Sequence, residues 1–111
     1  MVDRIDLLIL PAGEGKTRWL VGRAFEEAGH GNNVVFLSRS AAEYDKFLTY
    51  YRSEYGAGCP VRHVDDMVDI PYGSVVLIDD YHKKEKKTLF NLDALKEKCQ
   101  KIIATMEGKR K

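Results

Sequence analysis

Apolar residues recur along this chain in two rhythms that alternate. Short, nearly continuous runs occur at Ile5 with Leu7, Leu8, Ile9 and Leu10, at Val34–Leu37, and at Val75, Val76, Leu77 and Ile78. Such runs are the pattern of strands buried on both faces of a parallel sheet. Between the first two, Leu20, Ala24 and Ala28 recur at every fourth position beside Val21 and Phe25, with Arg18, Arg23, Glu26 and Glu27 off that stripe. This predicts an amphipathic helix from Thr17, stopped by Gly29 and followed by the turn-rich His30-Gly31-Asn32-Asn33. Ser40 and Glu43 have capping-box spacing, so a second helix begins at Ser40 and carries Tyr44, Phe47, Leu48, Tyr51 and Tyr55 to a stop at Gly56. That aromatic stripe reads as core, with a base-stacking platform as the alternative. Residues 59–64 form a short candidate strand near an edge, because Pro60 cannot donate to a ladder. Pro71-Tyr72-Gly73-Ser74 is a turn. Asn91 caps a helix with Leu92, Leu95 and Cys99 on one face, residues 101–106 form a last strand, and 107–111 are a basic, mobile tail.

Strand and helix thus alternate through the whole chain. Right-handed crossovers then impose an α/β fold, a three-layer sandwich around a mainly parallel five-stranded sheet, with 1–111 as a single domain. Apolar residues make up 44% and charged residues 32%, which suits a globular protein with its own core. The two cysteines, Cys59 and Cys99, have no metal-site spacing and read as reduced thiols. No run approaches a membrane span and no leader pattern opens the chain, so no membrane partner and a cytoplasmic setting are expected. The net charge of +1 hides an asymmetry: residues 1–80 carry 8 Lys/Arg against 13 Asp/Glu, and residues 81–111 carry 10 against 4. The basic character is concentrated at the end.

Candidate chemistry begins where the first apolar run breaks into Pro11-Ala12-Gly13-Glu14-Gly15-Lys16-Thr17. Glycines at 13 and 15 let bare backbone N–H groups approach an anion, Lys16 adds a mobile cation, and the helix that follows aims its positive end at the same place. The Thr17 hydroxyl is suited to a magnesium ion. Ala12, Gly13, Glu14, Gly15, Lys16, Thr17 and Arg18 therefore form the candidate phosphate-binding set. The second stretch is the run 75–78, followed at once by Asp79 and Asp80. Other clusters carry less. Asp65, Asp66 and Asp69 lack the Gly and terminal Glu of a calcium loop and read as a helix cap or solvated turn. His30 has no partner at ligand spacing and takes no role. Lys83, Lys84, Lys86 and Lys87 are either a solvated surface or a contact for nucleic-acid phosphates.

The ending Gly-x-Gly-Lys-Thr and the strand ending in Asp79-Asp80 resemble the Walker A and Walker B motifs of P-loop NTPases of the RecA/helicase-like type. The likeness is to small viral or phage ATPases and to the first core domain of a helicase. Leu10 stands where the first Gly of the full pattern falls, and Asp80 where the helicase branch usually has Glu. The resemblance implies ATP or another NTP with Mg2+ as cofactors, Thr17 and Asp79 as metal ligands, and Lys16, Asp80 and Thr105 as catalytic residues. In that scheme Asp80 orients the attacking water and Thr105 senses the γ-phosphate. It also implies the strand order, by starting residue, 5, 102, 75, 34, 61. His82 falls where such helicases couple the site to nucleic acid, against an ordinary strand-exit residue. A weak ATPase acting on DNA or RNA, helicase- or packaging-like, is the expectation, within the host cytoplasm if viral. An arginine finger would come from a second copy or a larger partner protein, with Arg39, Arg52 and Arg62 as candidate donors. Two alternatives stand beside it: a nucleoside or nucleotide kinase, although no zinc-binding lid cysteines or Arg-rich lid follow, and a non-hydrolysing nucleotide-dependent interaction module.

Overall fold

The computed structural model describes residues 5–10, 15–80 and 92–108. Ala12, Gly13, Glu14, His82, Lys83, Lys84, Lys86, Lys87, Asn91 and the tail from 109 onward lie outside the described residues. The elements run β1 (Ile5–Leu10), α1 (Lys16–Gly29), β2 (Val34–Leu37), α2 (Ala41–Tyr55), β3 (Arg62–Val64), a 3-10 turn (Met67–Asp69), β4 (Ser74–Ile78), α3 (Leu92–Lys98) and β5 (Cys99–Glu107). All five strands join one sheet in the order β1-β5-β4-β2-β3, and every pairing is parallel. This is the order that the resemblance implies. β2 and β4 are buried at every residue, as their unbroken apolar runs require in a sheet covered on both faces.

Alternate residues of β2, β4 and β5 feed two cores, whereas β1 at the sheet edge has no buried residue and exposes Leu7 and Ile9, so its apolar run is not covered on both faces as expected. Val34, Phe36, Val75, Leu77 and Ile103 meet Leu20, Val21 and Ala24 of α1 and Phe47 and Tyr51 of α2. Val35, Leu37, Val76, Ile78, Ile102 and Ala104 meet Leu95 of α3, together with Val64 and Ile70. The aromatic stripe of α2 is therefore core: Phe47 lies 4.9 Å from Phe36 between ring centroids, and only its end, Tyr55, emerges to stack on Phe25 at 3.9 Å. Among the described residues no helix is long and apolar enough to cross a membrane.

The caps follow their side-chain chemistry. The Ser40 side chain accepts the Glu43 N–H at 3.2 Å, and Asp66 caps the 3-10 turn by accepting from Val68. Gly56 ends α2 at φ 93. Several boundaries differ from the expected ones, and β3 is confined to Arg62–Val64 of the candidate run 59–64. The residue that reverses the chain after α1 is Gly31, at φ 83, one residue beyond the cap His30, rather than Gly29. Cys99 opens β5 instead of closing α3, because its backbone pairs with Ser74 while its thiol stays buried beside Leu95. β5 continues through Glu107, and the Gly108 N–H donates to the Leu10 carbonyl at 2.9 Å, so these two residues belong to the sheet and not to a tail.

One ionic cluster around buried Glu27 ties β1, α1 and β5 together. Arg23 meets Asp6 at 2.8 Å and Glu27 at 3.5 Å, and Lys101 meets Glu27 at 2.8 Å. Asn32 donates to the other Glu27 oxygen at 2.9 Å. Burial raises the Glu27 carboxyl, but the hydrogen bonds from Lys101 and Asn32 and the charges of Lys101 and Arg23 outweigh it, so the group titrates below its ordinary range. A carboxyl depressed in the folded state stabilises fully above its unfolded pKa of about 4.3, and the contribution is lost as pH falls through the lower folded value. Glu27→Gln should cost about 1–3 kcal/mol near neutral pH. Urea unfolding across a pH series should show the gap from wild type closing below pH of about 4; a gap constant with pH would contradict this account.

Candidate functional site

A parallel sheet sends the carboxyl ends of its strands to one edge, and the following turns gather there. β1 ends at Leu10 and α1 starts at Lys16 on that edge. The register of β5 with β4 pairs Ile78 with Ala104, which carries Asp79 and Thr105 to the same level one residue on. On the other side of β5, Leu8 pairs with Thr105 and Leu10 with Glu107. Thr17 and Asp79, 62 residues apart in the chain, thereby come within 3.4 Å, the Thr17 hydroxyl donating to Asp79 Oδ2. The Thr105 hydroxyl donates to the other oxygen, Oδ1. Thr105 is fully buried, and its oxygen also accepts the Asp80 N–H at 3.1 Å.

Asp80 has φ 59, and among the described residues no other non-glycine has a positive φ. Asp is one of the few L-residues that tolerate this left-handed region, because its short polar side chain bonds locally.

At the start of α1, Gly15 adopts φ 90 and ψ 22, and its carbonyl accepts the Trp19 N–H at 3.0 Å. Among the described residues no side chain caps this helix, and no acidic residue sits in its first turn. Lys16 and Arg18 stand there instead, at the end where the helix dipole disfavours cations. The Lys16 ammonium donates to the Leu10 carbonyl at 3.5 Å. Leu10 thus takes part through its backbone, in strand conformation, so a side chain at this position is accommodated where the full motif would have glycine. Arg18 is exposed and loosely paired with exposed Glu54 at 3.6 Å, a contact worth little in water and readily exchanged.

Lys16, Thr17, Asp79, Asp80 and Thr105 are therefore gathered at one edge, beside Gly15. Of the candidate arginines, all exposed, Arg39 follows the end of β2, the strand next to Asp79's; Arg62 opens β3 on the far edge of the sheet, and Arg52 lies in the last turn of α2. Exposed His30 lies in the turn after α1. Among the described residues no three His, Cys, Asp or Glu side chains gather as a metal cage. The hydroxyl of Thr17 and the carboxylate of Asp79 offer two hard oxygens. That set suits Mg2+, which keeps several waters and takes the rest of its shell from substrate phosphates. Two contacts carry no sequence signal: the use of the Leu10 carbonyl, which any residue supplies, and the Thr105 bonds to both Asp79 and Asp80.

Among the described residues a Cβ built on Gly15 meets nothing within 4 Å, so Gly15→Ala should cost only what the backbone conformation imposes. Chemical denaturation should show a loss of about 1–2 kcal/mol. An unchanged midpoint would mean that the turn into α1 is not left-handed in solution.

A scan against protein-family models finds no matching family, and a search of curated proteins finds no match; the functional reading stands on Thr17, Asp79 and the helix start themselves.

Proposed function

We propose that this protein binds a nucleoside triphosphate, ATP in the first instance, together with Mg2+ at the carboxyl edge of its sheet, and hydrolyses it slowly as a P-loop NTPase of the RecA-like type. The observation that carries the reading is the 3.4 Å approach of the Thr17 hydroxyl to the Asp79 carboxylate, at the mouth of a glycine turn that opens a helix. Further support comes from two cations in an uncapped first turn that has no acidic residue. Those charges are out of place for helix stability, and a bound polyanion would reverse the sign of their effect. The strand order β1-β5-β4-β2-β3, with the Thr105 strand between the other two site strands, is the one the resemblance implies.

Each residue then has a physical task. The Gly15 turn and the first N–H groups of α1 would donate to phosphate oxygens, and Lys16 would leave the Leu10 carbonyl for the outer phosphates. Thr17 and Asp79 would hold magnesium, which when bound neutralises charge developing on the transferred phosphoryl group. Asp80 would order the water that attacks the γ-phosphate in line. The expected action on DNA or RNA rests on lysines outside the described residues and is tested by comparing turnover with and without single- and double-stranded nucleic acid.

Lys16→Ala should weaken ATP binding in a calorimetric titration by at least about tenfold, the scale of one lost charge-assisted contact. Unchanged affinity would overturn the proposal. With labelled ATP, release of inorganic phosphate supports hydrolysis, whereas label transferred to a nucleoside would assign the site to a kinase.

A further inference from the structure

Taking Thr17 and Asp79 as the magnesium site proposed above, we infer that Thr105 is a positioning residue that clamps the Asp79 carboxylate and the Asp80 turn, and not a group that reads the γ-phosphate. A threonine hydroxyl has one proton to give and lone pairs to receive. Here the proton goes to Asp79 Oδ1, and the oxygen receives the Asp80 N–H at 3.1 Å. A phosphate oxygen needs a donor, and the single donor of Thr105 is already engaged.

The arrangement divides the labour of the carboxylate. Oδ1 is held by Thr105 from β5, and Oδ2 faces Thr17 from α1. Fixing one oxygen fixes the rotamer, so the other is presented to a cation at the angle set by the sheet instead of sampling several. The same hydroxyl holds the Asp80 amide in its left-handed turn at φ 59, a conformation that a non-glycine residue adopts at a cost and keeps only where its surroundings impose it. Full burial of Thr105 in the strand between β1 and β4 makes the clamp rigid. Asp79 and Asp80 are thereby set by one side chain on a neighbouring strand.

The test uses Thr105→Val, which keeps the shape and removes the hydroxyl, and Thr105→Ser, which keeps the hydroxyl. Amide exchange without nucleotide should show the Asp80 N–H protected in wild type, less protected by about tenfold in Thr105→Val, and restored in Thr105→Ser. Calorimetry with ATP and with ADP, each with and without Mg2+, should show Thr105→Val removing the magnesium-dependent gain in affinity to the same degree for both nucleotides, with Thr105→Ser recovering it. A variant that weakens ATP alone, leaving ADP binding and Asp80 exchange unchanged, would make Thr105 a phosphate donor and overturn the clamp. If wild type binds neither nucleotide, the nucleotide reading fails while Asp80 exchange still judges the clamp. If Thr105→Val does not fold, wild-type exchange decides: an Asp80 amide that exchanges as fast as an exposed loop would overturn it.

Discussion

The insertion of β5 between β1 and β4 is the constraint on which the site depends. Both pairings are parallel, so a single strand sets the height of Asp79 through its partner Ile78–Ala104 and the height of the β1 end through Leu10–Glu107. A one-residue slip of β5 against β4 would turn the Thr105 side chain to the opposite face and remove the bond that holds Asp79. The packing on both faces resists such a slip, because Ile102 and Ala104 fill the core under α3 while Ile103 fills the core under α1. The hydrophobic alternation of β5 and the polar chemistry of its last residues are therefore one specification: the strand that buries four apolar side chains, Cys99, Ile102, Ile103 and Ala104, also delivers a hydroxyl to the carboxylate edge.

Charge is distributed with the opposite logic at the two ends of α1. Toward the C-terminal half, Arg23 and Glu27 are ion-paired within a cluster that includes Asp6, Lys101 and Asn32, holding helix and sheet together. At the N-terminal end, among the described residues, Lys16 reaches only a backbone carbonyl at 3.5 Å and Arg18 only an exposed Glu54. A protein under pressure for stability alone would place an acid or a capping hydroxyl at that end. Keeping cations there is intelligible if the partner is an anion that arrives from solution, and the proximity of Thr17 to Asp79 gives such an anion a metal-ready edge to meet.

Much of this was legible in the chain. The unbroken apolar runs of β2 and β4 marked doubly covered strands, Ser40 with Glu43 marked the start of α2, and the carboxylates directly after β4 marked the sheet edge. Cys99 was ambiguous because a buried thiol satisfies helical and strand periodicity alike, and only the backbone bonds from Gly73 to Lys98 and the pairing with Ser74 separate the two. Glu107 and Gly108 read as the start of a basic tail, whereas a backbone bond to Leu10 carries them into the sheet. Thr105 was singled out through the family resemblance alone, and its partners depend on register, a relation between residues that composition does not encode. The use of the Leu10 carbonyl was invisible for a simpler reason: every residue has one.

The most direct test is anomalous diffraction from crystals grown with Mn2+ in place of Mg2+ and a non-hydrolysable ATP analogue. The account predicts a single metal peak bonded to the Thr17 hydroxyl oxygen and beside the Asp79 carboxylate, with the phosphates over Gly15 and the Lys16 ammonium moved from the Leu10 carbonyl onto them. Nucleotide and metal bound elsewhere on the protein, or no metal between Thr17 and Asp79 at saturating concentration, would contradict it.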